Sequence, residues 1–389
     1  MQLNKLAATF AAVGVAMPGA AMATNGMIME GYGPVAAGMG GASMAYDNGS
    51  AAMANNPATL GLMANGSRAD IMLGFVGPDV KTPMGTSEAD AFYMPAIGYV
   101  KKQDRLAYGV GIYGQGGMGT EYANGDMAQV SVGRVIFPVA YAVTNRLNIG
   151  GSVDFVWAGM DLIADLNPLN PGKEINFSDD SDFTGEAKGY SLAAKLGFTY
   201  KLSDALTVGG VYQTAGNLPD LEDGSYKVEG FDMPPVVGLG LAWQANDRLM
   251  LAADVKDVMW GSSMNTVTIS NTDTGMVVPF QQDWDDQIVA ALGLSYKFTG
   301  AFTGRVGYNY GKNPIPDEFV NYLWPAIMED HYTAGFGYAF NKQSELNFAV
   351  SVAPEVSVTG TGPNPPMGNG GLVIEHSQVN WQLMYSLKF

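Results

Sequence analysis

His331 and His376 are the only two imidazoles in this 389-residue chain, and it has no cysteine. Those two facts remove most of the reaction chemistry it could carry. A serine hydrolase needs a histidine beside a serine and an acid, and the sequence holds no G-x-S-x-G elbow to present that serine. Without cysteine there is no disulfide scaffold, thiolate nucleophile or Cys-based metal site. Asp179-Asp180-Ser181-Asp182 and Asp283-Trp284-Asp285-Asp286 lack the ligand spacing of a calcium loop and read as solvated loop faces. Gly109-Val110-Gly111-Ile112-Tyr113-Gly114 matches G-x-G-x-x-G, but no amphipathic helix follows it to hold a pyrophosphate. A net charge of −17, from 20 basic and 37 acidic residues, argues against nucleic acid. No enzyme is expected, and no cofactor or metal.

What remains is chemistry of contact and gating. Glycines at 109, 111, 114, 116, 117 and 119 weaken the third of the strands described below and its exit, because glycine packs poorly in strands and often marks bulges. Counting parity from Tyr332 and Phe389, His331 and His376 point inward near the outer ends of the twelfth and fourteenth strands. With Arg134, Lys195, Lys256, Lys297 and Arg305 they are candidates to contact a plug or a ligand; the plain alternative is polar lumen residues paired with carboxylates or water. Asn56-Pro57-Ala58 suits an N-cap and first helical position, with a short helix from Pro57 to about Met63.

These residues need a wall to hold them. From Gln378 to Phe389, Val379, Trp381, Leu383, Tyr385, Leu387 and Phe389 alternate with mostly polar residues, the period of a strand with two unlike faces. Fourteen such segments fit between Arg68 and Phe389, the third at 105–114 and the last at 373–389. In the sixth, Tyr190, Leu192, Ala194, Leu196, Phe198, Tyr200 and Leu202 face one way and Lys195 and Lys201 the other. Six short turns alternate with seven long loops, one of the latter expected at 115–128. A soluble sandwich has no reason to sort its loops by length, whereas a transmembrane antiparallel β-barrel with periplasmic termini does.

Lys5, the apolar run Leu6 to Met17 and Ala21-Met22-Ala23 read as a removable secretory signal over residues 1–23. Residues 24–67 do not alternate, are rich in Gly and Ala, and are too few for a strong core of their own. They are expected to plug the barrel formed by residues 68–389.

The run Gly38-Met39-Gly40-Gly41-Ala42-Ser43-Met44-Ala45-Tyr46-Asp47, then Asn56-Pro57-Ala58, resembles the N-terminal hatch of the FadL/TodX (OmpP1) outer-membrane transporters. Gly311-Lys312-Asn313-Pro314-Ile315, the 329–340 strand and the terminal Phe389 extend the resemblance over nearly the whole mature chain. It implies a barrel of about fourteen strands with the hatch inside. It also implies uptake of long-chain fatty acids or neutral hydrocarbons, captured at the extracellular loops and released sideways at a kinked third strand. The expected partners are a hydrophobic small molecule, outer-membrane lipid and lipopolysaccharide, and the barrel-assembly machinery through the strand ending at Phe389. A monomer in the Gram-negative outer membrane is expected. Fatty-acid carriers of the family place basic residues beyond the fifth strand and before the tenth. Here those stretches read Met160-Asp161-Leu162-Ile163-Ala164-Asp165 and Phe280-Gln281-Gln282-Asp283, without a basic residue in either, and Lys173 is near the first. An unpaired buried carboxylate costs several kcal/mol, so an uncharged ligand is favoured. A general porin for polar solutes and a surface adhesin or phage receptor are the alternatives, both of which leave the plug unexplained.

Overall fold

Alternation decides the wall. On the strand Ala187–Lys201, Leu192 and Leu196 are 69% and 66% exposed, while Ala193 and Lys195 are buried. Outward apolar side chains have no aqueous rationale, and inward polar ones are normal for a barrel lumen in a membrane. Tyr190 and Tyr200 stand outward at the two ends of this strand. They are separated by about 33 Å of strand, or about 25 Å of height at a tilt of about 40°, the height of an outer-membrane apolar band. Tyr332 and Tyr338 also stand outward on another strand. These outward tyrosines form the two interfacial girdles.

A computed structural model describes residues 24–165, 174–179, 185–362 and 370–389. The signal expected at 1–23, Lys173 and Asp180 to Asp182 lie outside them. Fourteen antiparallel strands close the barrel. They are β1 Gly66–Thr82, β2 Phe92–Gln103, β3 Leu106–Glu121, β4 Met127–Ala142, β5 Leu147–Asp165, β6 Ala187–Lys201 and β7 Leu206–Gln213. Then come β8 Val236–Gln244, β9 Leu249–Val258, β10 Gln287–Lys297, β11 Phe302–Gly311, β12 Asp330–Ala339, β13 Ser344–Thr359 and β14 Val373–Lys388. Closure is made by β1 on β14, in register from Arg68 opposite Lys388 to Lys81 opposite Glu375. The terminal Phe389 continues the seam, its carbonyl accepting from Ser67 N at 2.6 Å.

Two expectations need correction. The third strand does not stop at Gly114 but runs to Glu121, so its outer connection is the tight turn Tyr122–Asp126 and not a long loop over 115–128. Glycine has low strand propensity, which hid the extension; its ladder with β4 supplies the backbone bonds that propensity lacks. The wall also begins at Gly66, so Gly66 and Ser67 pair with Lys102 and Lys101.

Residues 24 to about 65 lie within the barrel with almost no regular structure. A four-residue helix α1, Pro34–Ala37, and two 3₁₀ turns, Gly49–Met53 and Pro57–Leu62, are its elements. Such a segment leaves its own backbone groups unmatched, and buried backbone polar groups must be paired. The wall supplies the partners. Asp254 on β9 accepts from the amides of Ser43 at 2.6 Å and Met44 at 3.1 Å. Asp70 on β1 accepts from Ser50 N at 2.8 Å. Gln382 on β14 donates to Gly31 O at 2.9 Å, and Asn309 on β11 to Gly40 O at 2.9 Å. Lys102 donates to the carbonyls of Gly61 and Met63 at the end of the second 3₁₀ turn. Between these ties the apolar hatch side chains, among them Met39, Met53 and Leu60, pack on small wall residues such as Ala140 and Ala291.

Candidate functional site

The wall is incomplete between β2 and β3. β2 and β3 pair only from Gln103 opposite Leu106 to Ile97 opposite Ile112. Above Ile112, β3 stays paired to β4 but leaves β2. The departure coincides with an irregularity between Gly114 and Gly116 in the β3–β4 ladder, where Gln115 is the extra residue. A bulge bends its strand and adds twist, and here it swings the outer half of β3 away from its neighbour.

Unpaired backbone facing lipid is costly, so the edge of β3 needs other partners. The amide of Gly117 donates to Met27 O of the hatch at 3.1 Å, and Ile28 forms an isolated bridge with Gly116. This approach requires glycine: a Cβ at Gly116 would lie 1.8 Å from Met27 O. Higher up, the amide of Glu88 donates to Glu121 O at 2.7 Å.

Behind the gap is a cavity of about 260 Å³. The hatch residues Gly26 and Met29 line it from inside, and Tyr93 and Ile112, 48% and 43% exposed on the barrel exterior, line it from the lipid side. Gly114, Gly116, Gly117 and Gly119 form its β3 face, with His376 and Gln378 on β14. Among the described residues, no lysine or arginine lines it. The cavity therefore spans the wall from hatch to lipid face with a neutral interior.

The bulge is held by charge. Arg134 on β4 donates through Nε to the Gln115 side chain and through Nη1 to Asp154 on β5 at 3.0 Å. Lys195 on β6 completes the cluster at 2.9 Å from Asp154 Oδ2, and Ser152 donates to Oδ1 at 2.6 Å. From the hatch, the Tyr32 hydroxyl donates to Gln115 O at 2.7 Å. One residue is thus tied both to wall and to plug. Burial pushes the Tyr32 phenol up. In the same hatch segment Glu30 is fully buried, and neither carboxylate oxygen has a hydrogen-bond partner among the described residues. Burial raises its pKa to about 7, opposed by its own backbone, Ser351 and Lys256.

The outer mouth is covered by the segment between β11 and β12, where Val320, Leu323 and Trp324 are buried. Tyr322 donates to Asp126 at 2.7 Å, and Tyr122 donates back to Tyr322 O at 2.8 Å.

The sequence candidates fall at several places in the barrel. Gly114, Gly116 and His376 meet at the cavity, and Arg134 acts behind it through Gln115. Asn56, Pro57 and Ala58 lie at the other end of the hatch. Asn56 Oδ1 accepts from Ala58 N at 3.1 Å, and Nδ2 donates to Met44 O at 2.8 Å and Phe198 O at 3.2 Å. The turn after Pro57 is 3₁₀, ending at Leu62. Gly109 and Gly111 lie lower on β3, where added Cβ atoms would meet Tyr99 O at 2.1 Å and Met53 Sδ at 2.5 Å. Arg305 bonds Asn347 at 3.1 Å across the lumen wall. His331 is buried against the backbone of Thr24, Asn309 and Glu329 without a well-formed hydrogen bond. Neither it nor Arg305 lines the cavity. Lys256 donates to Glu30 O and Gly41 O, whereas Lys297 is exposed at the periplasmic end of β10.

Sequence reading missed Met27, Met94, Gln115 and Tyr32. No local pattern marks them; the glycine run was the one visible signal, and it points to a bulge without saying what braces it.

The family described as outer membrane protein transport protein (OMPP1/FadL/TodX) matches residues 10–364. The toluene transporter TodX of Pseudomonas putida is 28% identical, with a TM-score of 0.80 over 92% of this chain and 99% of that one. The toluene transporter TbuX of Ralstonia pickettii is also 28% identical, with a TM-score of 0.76 over the same shares. A Pseudomonas aeruginosa FadL homologue shares the fold at 15% identity, with a TM-score of 0.72 over 94% of this chain and 99% of that one. An uncharacterised protein from the 5′ region of the Chlorobium limicola phosphoenolpyruvate carboxykinase gene is 44% identical over 81 residues, which span 20% of this chain and 39% of that protein. With the closed barrel, the inward hatch and the family match over residues 10–364, this chain belongs to the OMPP1/FadL/TodX family of hydrocarbon and fatty-acid transporters of the Gram-negative outer membrane.

Proposed function

We propose that this chain takes up uncharged hydrophobic molecules and releases them sideways into the outer membrane between β2 and β3. The observation that carries the proposal is the cavity behind that gap, which reaches from hatch to lipid face and has no lysine or arginine in its lining among the described residues. An apolar cavity of about 150 Å³ holds benzene, so about 260 Å³ is ample for a substituted aromatic ring. A carboxylate placed there would lose its hydration without gaining a partner, at a cost of several kcal/mol. A hydrocarbon gains roughly 25 cal/mol for each Å² of apolar surface kept from water, so a sideways path keeps that gain where a path through the polar lumen forfeits it. That TodX and TbuX are described as toluene transporters supports the same substrate class.

On this reading the ligand is captured at the outer loops, and hatch residues near Met27 shift to let it into the gap. Residues 1–23 are a removable export signal, residues from Thr24 to the start of β1 are the hatch, and the chain acts as a monomer. Outer-membrane lipid, lipopolysaccharide and the barrel-assembly machinery, through the strand ending at Phe389, are its partners. The test uses the full mature chain in proteoliposomes, comparing entry of toluene, a long-chain fatty-acid anion and a disaccharide. Selective toluene entry is expected. Passage of the disaccharide would indicate a porin, and selective fatty-acid entry would restore the charged-ligand reading.

A further inference from the structure

One side chain in the cavity lining is out of place in a site for plain hydrocarbons. His376 reaches it from β14 and is 7% exposed. Its Nδ1 lies 2.7 Å from the carbonyl of Pro325, in the segment covering the outer mouth. A carbonyl only accepts, so Nδ1 carries the proton, and in the neutral ring Nε2 is left as a bare acceptor. Nε2 is buried and has no hydrogen-bond partner among the described residues. A buried acceptor left unmet is costly, and such groups call for an explanation.

Resting on uptake through this cavity, we propose that it selects aromatic molecules carrying one hydrogen-bond donor, phenols above all, and that His376 Nε2 accepts from their hydroxyl. The rest of the lining fits the ring. Phe92 and Trp157 offer aromatic surface, and Met29, Met94 and Met118 offer polarizable, flexible side chains. Thioethers pack well against ring edges and rearrange readily, which lets a ligand press in to an acceptor sealed within the lining. A phenol is neutral near pH 7, because its ordinary pKa is about 10, so it needs no cation. A hydrocarbon of the same size leaves Nε2 unmet, whereas the hydroxyl recovers that cost. Sites built around a hydrogen bond discriminate more strongly than sites built around shape alone.

Two substitutions separate this role from the tie to Pro325. His376→Asn places an amide nitrogen near the Nδ1 position, keeping that tie and removing the acceptor. His376→Gln places an amide oxygen near the Nε2 position, keeping the acceptor. Phenol, methoxybenzene and toluene are offered to proteoliposomes holding the full mature chain. Wild type is expected to favour phenol over both others. In His376→Asn the phenol-to-toluene uptake ratio is expected to fall about tenfold, and in His376→Gln much of the preference is expected to remain. An unchanged ratio in His376→Asn, or methoxybenzene carried as well as phenol by wild type, overturns the inference while leaving hydrocarbon uptake standing. If wild type carries neither phenol nor toluene, the uptake reading falls as well.

Discussion

The backbone carbonyl of Met27 accepts a hydrogen bond from the amide of Gly117 at 3.1 Å, so the hatch itself completes the wall where β2 has ceased to pair with β3. Plug and gap are therefore one device. Anything that moves the start of the hatch uncovers the edge of β3, and anything that crowds that edge displaces the hatch.

Gly116→Leu tests the contact from the wall side. Its Cβ would start 1.8 Å from Met27 O, a distance no side chain tolerates, so the hatch start must shift and the leucine enters the cavity. Toluene uptake is expected to drop severalfold. The heat-dependent gel mobility of the folded barrel should stay that of wild type, because the β3–β4 ladder is untouched. Normal uptake by a folded variant would contradict the assignment.

Asn56→Ala tests the far anchor of the hatch. Asn56 accepts from Ala58 N and donates to two carbonyls, one of them Phe198 O in the wall. Loss of the cap costs about 1 kcal/mol, and the unpaired buried carbonyls add about 1–2 kcal/mol. The barrel should remain folded while planar-bilayer recordings show more frequent openings. Conductance equal to wild type would remove the anchoring role.

Glu30 gives the hatch a pH dependence of known sign. Burial raises its carboxyl from an ordinary 4.5 to about 7 in the folded protein. The folded hatch thus binds the proton more tightly than an unfolded one. The stability this provides is complete below about 4.5 and is lost as pH rises through about 7. Opening frequency is expected to rise between these values in wild type and to stay flat and low in Glu30→Gln. A wild-type recording with no pH dependence over that range would count against it.

Arg134→Met removes the brace behind the bulge. Asp154 keeps Lys195 and Ser152, but the Gln115 side chain loses its donor. Breaking a buried charge cluster typically costs about 3–5 kcal/mol. A clear drop in the temperature of the gel-mobility transition is expected, with strand content by circular dichroism preserved below it. A transition temperature equal to that of wild type would show that the cluster does not hold the bulge.

Much of the wall was legible because a membrane barrel writes its two solvents into every strand. Leu192 and Leu196 against Lys195 read correctly with no tertiary information. β3 was read short because its outer half is glycine, and a glycine strand has neither propensity nor faces to alternate. The hatch was visible as a Gly/Ala-rich segment, and the Asn56 cap as a local motif, since an N-cap acts over two residues. Its partners were not visible: Asp254 lies 211 residues from Ser43 along the chain, and Pro325 lies 51 from His376. Such pairings follow from barrel closure, which only the register of all the strands fixes.

The most direct test of sideways exit is to lock the gap. An ideal Cβ at Gly114 lies 3.5 Å from Met94 Cβ across the opening, within the usual Cβ–Cβ range of a disulfide, about 3.5–4.5 Å. The chain has no cysteine of its own, so the double variant Met94→Cys and Gly114→Cys offers only one pair to oxidise. Toluene uptake is measured in the same cells before and after reduction with dithiothreitol. Uptake near background when oxidised, restored on reduction, is the expected result; equal uptake in the two states, with the disulfide confirmed by mass, would contradict sideways exit between β2 and β3.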